Sequence, residues 1–189
     1  MVKLDKIYTR GGDLGESSLT DGTRRSKADA RFAAIGAVDE ANSMIGLART
    51  HVSLATASSL DAMLGRIQND LFDLGADLAT PDGKDGDALR IAAVQVTRLE
   101  AEMDGMNHGL PALTSFILPG GYTLSAHLHV ARAVTRRAER TMVMLATREA
   151  VNPQGLAYIN RLSDHLFVMA RLANDGGVAD VLWVPGGNR

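Results

Sequence analysis

The chain has 189 residues, 46% of them apolar and 22% charged, which suits one soluble globular domain with a substantial core. A formal net charge of -2 leaves no global basic field for nucleic acid and no acidic tail, so any anion site must be local. The absence of cysteine excludes disulfides, thiolate metal sites and a cysteine nucleophile, and no run approaches the roughly 18 apolar residues that span a bilayer. The opening MVKLDKIYTR also lacks the apolar centre of a secretory leader, so a cytoplasmic protein is expected, with neither membrane nor nucleic acid as partner.

Residues 8–27, YTRGGDLGESSLTDGTRRSK, are poor in apolar side chains. Gly11, Gly12, Gly15 and Gly22 interleave with Thr9, Ser17, Ser18, Thr20 and Thr23, a composition that turns tightly and aims amides and hydroxyls at one anion. Lys27 is expected to open the first helix, adding an ammonium and free helical amides to the same place. No GxxxxGK[ST] occurs, so this is not a P-loop, and a disordered leader has the same composition. On the residues alone both readings stay open.

Beyond the arm the apolar residues recur with a 3.6-residue period, which predicts five helices. The first, about Lys27 to His51, places Ile35, Val38, Asn42 and Ile45 on one face and Gly36, Asp39, Ser43 and Gly46 on another. The second, about Ser59 to Thr80, repeats the spacing with Leu64, Ile67, Leu71 and Leu74. A charged turn, PDGKDGD, precedes the third, about Ala88 to Met106; the longer connection NHGLPALTSFILPGG leads to the fourth, about Tyr122 to Arg148. The fifth runs from about Asn152 to Asn174, and a turn-like tail carries the only tryptophan, Trp183. Long helices with short connections predict an all-α, ferritin-like antiparallel five-helix bundle. It forms one domain, with residues 1–26 as arm, 27–174 as bundle and 175–189 as tail.

The fourth helix holds the most specific text, HVARAVTRRAER. Ala131, Val134, Ala138 and Met142 mark a core face, while Arg132, Arg136 and Arg140 stack at successive i, i+4 positions beside His129 and Glu139. Stacked guanidiniums repel, so the stripe is either a solvated face or a fork for phosphate or carboxylate, which planar bidentate donors match well. In the fifth helix Leu162, Leu166, Met169 and Ala173 form the core stripe, and Asn160, Asp164, Phe167 and Arg171 share the far side. His127 and His129, two apart on a helix, point in different directions and do not make a metal clamp.

Taken in order, KIYTRGGDLGESSL, RRSKADAR, GAVDEANSMIGLA, SFILPGG, HVARAVTRRAER and YINRLSDHLFVMAR give a chain that resembles, over nearly its whole length, the ATP:cob(I)alamin adenosyltransferases of the propanediol-utilisation type. It departs from their pattern at Ala33 and Ile35, where a Glu and a Tyr are usual, and at Ala41, where a leucine is; these positions touch helix packing more than chemistry. The resemblance implies transfer of the 5′-deoxyadenosyl group of ATP to the Co(I) of reduced cobalamin, yielding adenosylcobalamin and triphosphate, in a homotrimer with sites between subunits. It implies that Thr9, Arg10, Gly11, Gly12, Ser17, Ser18 and Lys27 surround the polyphosphate. Arg136, Arg137, Ala138, Glu139, Arg140 and Asn160 would come from the neighbouring subunit, and Asp39 would pair with Arg132 across the interface. Arg136, Glu139 and Phe116 are the residues nearest the chemistry, with Phe116 under the corrin. Mg²⁺ would be held mainly by ATP phosphates, with Glu139 as the candidate side chain. A corrinoid reductase and a cobalamin-dependent mutase are the implied protein partners. A non-catalytic cobalamin or nucleotide carrier and a phosphotransferase are the competing readings.

Overall fold

A computed structural model describes residues 7–52, 57–81 and 88–189. Five helices account for most of them: α1 Ala30–Arg49, α2 Ala57–Leu78, α3 Ala93–Asn107, α4 Thr123–Ala146 and α5 Pro153–Leu172. Two three-residue strands, β1 Glu16–Ser18 and β2 Arg24–Ser26, pair antiparallel in the arm. Among the described residues no helix is long and apolar enough to cross a membrane.

Helix starts follow local capping chemistry. Asp29 accepts from the amide of Arg31 at 2.8 Å, so α1 begins at Ala30 and Lys27 lies before it rather than opening it. Asn152 caps α5 in the same way, accepting from Gln154 N at 3.0 Å, with Pro153 in the first turn where its missing amide costs nothing. The third helix starts later than its sequence periodicity predicts. Buried Asp77 accepts from Arg90 Nη1 at 2.7 Å and from the amide of Ile91 at 2.9 Å, and these bonds hold residues 88–92 off the helical path. Residues 82–87, most of the expected charged turn, lie outside the described residues.

The core is the predicted set with one exchange on α4, and with Ala173 packed at its edge. Val38, Asn42 and Ile45 of α1, Leu64, Ile67, Leu71 and Leu74 of α2, and Leu162, Leu166 and Met169 of α5 are all buried, and Ile35 packs at the edge. Each fully buried leucine contributes about 1.5–3 kcal/mol relative to exposure. On α4, Leu128, Ala131, Ala138, Met142 and Leu145 are buried, but Thr135 takes the place expected for Val134, which is half-buried. Gly155 lets α5 approach α2, since a Cβ there would sit 3.0 Å from Leu74 Cδ1.

Cross-helix bonds fix the directions. Asn42 meets Gln68 and Arg49 meets Asp61, so α1 and α2 run oppositely; Asp70 meets Gln95 while Arg66 meets Glu102, which reverses α3 again. Arg31 meets Glu149 and His51 stacks on His127, so α4 opposes α1; Glu139 meets Asn160 and His129 meets Phe167, so α5 opposes α4. Consecutive helices therefore alternate, as expected for short connections. The spatial neighbours α3 and α5 are the exception and run parallel, with Glu100 on Arg161 and Glu102 on His165.

The arm, poor in apolar side chains, and the turn-like tail are both tied down. In the arm, Gly22 (φ +83°) turns the hairpin, Leu19 is buried, and Thr20 N donates to the carbonyl of Ala79 at 3.1 Å. In the tail, Leu118 N donates to Val181 O at 2.9 Å and Trp183 N to Phe116 O at 2.7 Å, so residues 181–183 pair with the segment before α4.

Candidate active site

The glycine-bearing loop is shaped by cations folding back on it. Lys27 Nζ donates to Gly12 O at 2.9 Å and Arg24 Nη2 to Gly11 O at 2.7 Å. A Cβ on Gly12 would lie 2.8 Å from Lys27 Nζ, so a glycine there permits the approach. Arg10 sits at φ +61°, a backbone region that side chains disfavour, with its guanidinium 5.8 Å from the centre of the Tyr8 ring. Thr9, Arg10, Gly11 and Ser18 are exposed, and Gly12 and Ser17 are half-buried.

Glu149, which the sequence reading did not single out, fastens this hairpin to the bundle. Its carboxylate accepts from Arg25 Nη1 at 2.6 Å and from Arg31 Nε and Nη2 at 3.0 and 2.8 Å. Burial pushes the Glu149 carboxyl up, but the hydrogen bonds and charges of the two guanidiniums outweigh it and leave it below the usual glutamate range. Arg31 also donates to Leu78 O at 2.7 Å, joining the ends of α1, α2 and α4.

Along α4 the arginines form the expected stripe. Arg136 and Arg140 are exposed and pair with no carboxylate among the described residues. Arg137 makes an ion pair with Glu40 of α1. Glu139 Oε1 accepts from Asn160 Nδ2 at 2.7 Å, which brings polar side chains of α4 and α5 together. Arg132 is half-buried with Nε lacking a hydrogen-bond partner, and burial together with the Arg136 charge holds its guanidinium below the usual value. His129 is buried with Nδ1 unpartnered; burial and then the Arg132 charge depress its pKa, partly offset by Asp180. An open groove of about 590 Å³ runs past Glu40, Gly120, His129, Arg132, Arg137 and Arg140.

Other candidates fall elsewhere. Ala138 is fully buried, so its side chain belongs to the core. Arg171 is 4% exposed and bonds the tail, not the far face of α5; the helical period placed it correctly by angle, but its buried partner comes from nine residues later. Asp164 pairs with Arg161 at 3.2 Å. Asp39 is exposed on α1, away from any pairing with Arg132 within the chain. Phe116 is 77% exposed, its ring centroid 6.1 Å from that of Trp183.

The hairpin is fastened where α4 ends, whereas Phe116 lies just before α4 begins. The 24 residues of α4 span about 36 Å, so the two sit at opposite ends of one chain with the arginines between.

Residues 7–173 match the family described as cobalamin adenosyltransferase. A corrinoid adenosyltransferase of Mycobacterium tuberculosis is 50% identical over 194 residues, covering 100% of this chain and 97% of the relative. A cobalamin adenosyltransferase of Cupriavidus metallidurans is 48% identical, covering 96% and 95%. Among solved structures, a phenylalanine-to-histidine variant of the PduO-type ATP:corrinoid adenosyltransferase of Lactobacillus reuteri, complexed with cobalamin and ATP, is 40% identical with a TM-score of 0.89. The match covers 94% of this chain and 96% of that one. An arginine-to-lysine variant of the same type, complexed with ATP, is 41% identical with a TM-score of 0.88, over 95% and 100% of the two chains.

Proposed function

The chain belongs to the cobalamin adenosyltransferase family, and from that premise we propose how its residues divide the work. The enzyme transfers the 5′-deoxyadenosyl group of ATP to the cobalt of reduced cobalamin. Co(I) donates an electron pair to the ribose 5′ carbon, the carbon–oxygen bond breaks, and triphosphate departs with that bond's electrons, leaving an alkylated Co(III). No protein base is required. The chain's task is to align cobalt, carbon and leaving oxygen and to stabilise charge growing on triphosphate.

The observation that carries the assignment of roles is the row Arg132, Arg136, Arg140: Arg136 and Arg140 have no carboxylate partner among the described residues, and Arg132 has an unpartnered, half-buried Nε. Repelling guanidiniums held in one row are stabilised by an anion. Arg136, Arg137 and Arg140 hold the triphosphate, and Glu139 with Asn160 orients ribose and phosphate. Thr9, Arg10, Gly11, Gly12, Ser17, Ser18 and Lys27 close from the other side. Lys27 exchanges the Gly12 carbonyl for phosphate oxygen.

The site lies between subunits of a homotrimer. Support comes from the separation of hairpin and Phe116 along α4, from exposed Val130, Val143 and Met144 on α4, and from Asp39, free to meet Arg132 of another copy. Mg²⁺ accompanies the triphosphate. The residues fit a cation held by phosphate and water: Glu139 keeps one carboxylate oxygen outside its bond to Asn160, and magnesium dehydrates reluctantly. Phe116 presents an apolar face to the lower side of the corrin, where an absent ligand makes Co(II) easier to reduce. The protein works in the cytoplasm, downstream of a corrinoid reductase and upstream of a cobalamin-dependent mutase.

The test is a product assay under anaerobic conditions with ATP, cobalamin and a strong reductant. Adenosylcobalamin and triphosphate are expected in equal amounts. ADP in place of triphosphate points to a phosphotransferase, and ATP bound but unchanged points to a carrier.

A further inference from the structure

Near the end of α5 two buried side chains, Arg171 and Asn174, close on the carboxylate of Asp180, outside the residues assigned above. Arg171 Nε donates to Asp180 Oδ2 at 2.9 Å and its Nη2 to Pro111 O at 2.7 Å. The two side chains of that ion pair are 5% and 4% exposed. Asn174, also buried, donates from Nδ2 to Asp180 Oδ1 at 2.9 Å and accepts on Oδ1 from the amide of Tyr122 at 3.1 Å. Gly177 (φ +83°) donates its amide to Arg171 O at 2.9 Å, and a Cβ there would crowd Arg171 Nη2 at 3.1 Å and Pro111 Cδ at 3.2 Å.

These bonds grip both ends of the segment that carries Phe116. Pro111 is held by Arg171, Tyr122 by Asn174, and Asp180 ties both to the tail. Between those anchors Ser115 Oγ donates to Trp183 O at 2.7 Å, while Trp183 N donates to Phe116 O. Phe116 is largely exposed and, among the described residues, its ring has one aromatic neighbour, so packing does not set its direction; the backbone pairing does. A buried ion pair loses much of its attraction to desolvation and adds little net stability. What it supplies is a fixed geometry.

We propose that Arg171, Asn174 and Asp180 form a buried clasp that positions Phe116 against the corrin, so that they are positioning residues for cobalt reduction. The proposal rests on the role given to Phe116 under the adenosyl-transfer reading.

The variants are Asp180→Asn, Arg171→Lys, Phe116→Ala and the double variant Phe116→Ala/Asp180→Asn, with Arg66→Ala, whose partner is Glu102, as an ion-pair control. Asp180→Asn is expected to slow reduction of bound Co(II) and raise KM for cobalamin about 10- to 100-fold while KM for ATP stays near the parent's. The double variant should reduce Co(II) no more slowly than Phe116→Ala alone, because the clasp acts through that ring. Trp183 adds a readout independent of turnover: its fluorescence should shift to the red in Asp180→Asn and not in Arg66→Ala. If Asp180→Asn does not fold, Arg171→Lys carries the same expectations, since lysine keeps the charge and loses the two-pronged reach.

Equal losses for ATP and cobalamin, additive losses in the double variant, or unchanged cobalamin kinetics and emission in a folded clasp variant each overturn the proposal while leaving the function intact. A parent protein that makes no adenosylcobalamin overturns the function reading and the clasp's role with it.

Discussion

Arg136 stands exposed in the middle of α4 with guanidiniums a turn away on either side. In the role proposed for it, replacement by alanine removes a donor to charge that develops on the leaving group. Arg136→Ala is therefore expected to lower turnover at least about 100-fold with the fold intact by circular dichroism; near-parent turnover would take Arg136 out of the reaction. Phe116→Ala should slow reduction of bound Co(II) while sparing ATP affinity, read by anaerobic spectroscopy and by nucleotide titration. A variant that reduces its cobalt normally would end the role given to that ring. At this scale the motifs were legible because anion chemistry needs particular residue types at particular spacings. Val134, half-buried where Thr135 is buried, and Arg171, turned to the tail, mark the limit of that reading. A helical period gives an angle, and whether that angle meets solvent, core or a returning segment depends on chain that is distant in sequence.

Among elements, the five helices were readable from apolar periodicity, but the caps at Asp29 and Asn152 that set two of their starts were not, since a period marks a face and not an end. The hairpin was not, because strands of three residues carry too few alternations to form a pattern. Its attachment through Glu149 was equally hidden, since that residue meets Arg25 and Arg31 more than 100 positions away. The attachment has a pH dependence. The folded-state pKa of Glu149 is lowered, so the stability it contributes is present above the ordinary glutamate value and is lost as pH falls through the lowered one. Between about pH 5 and pH 3 the parent's melting temperature should drop more steeply than that of Glu149→Gln. Parallel curves would show that the hairpin is held by other contacts. At neutral pH the same variant should raise KM for ATP more than KM for cobalamin, because it loosens the nucleotide side alone.

For the molecule as a whole, the bundle places the arm hairpin and Phe116 at opposite ends of α4, so one copy does not close them on each other. A charge on the exposed apolar face of α4 tests assembly directly. Met144→Asp is expected to yield monomers in sedimentation, with turnover lost in parallel; a charged variant still trimeric would relocate the contact, and an active monomer would dismiss sites shared between copies. The helix count and layout were legible from sequence because each amphipathic stripe had to find a partner. The parallel seating of α3 beside α5 was not, since apolar stripes specify contact but not direction.

If, as proposed, the arm of one copy and the arginines of another build one site, that sharing has a genetic signature. Lys27→Ala and Arg136→Ala, each inactive alone, damage different halves of it. Co-expressed, they should build mixed trimers in which some junctions join a sound arm to a sound arginine row, so that two crippled alleles restore part of what neither supplies.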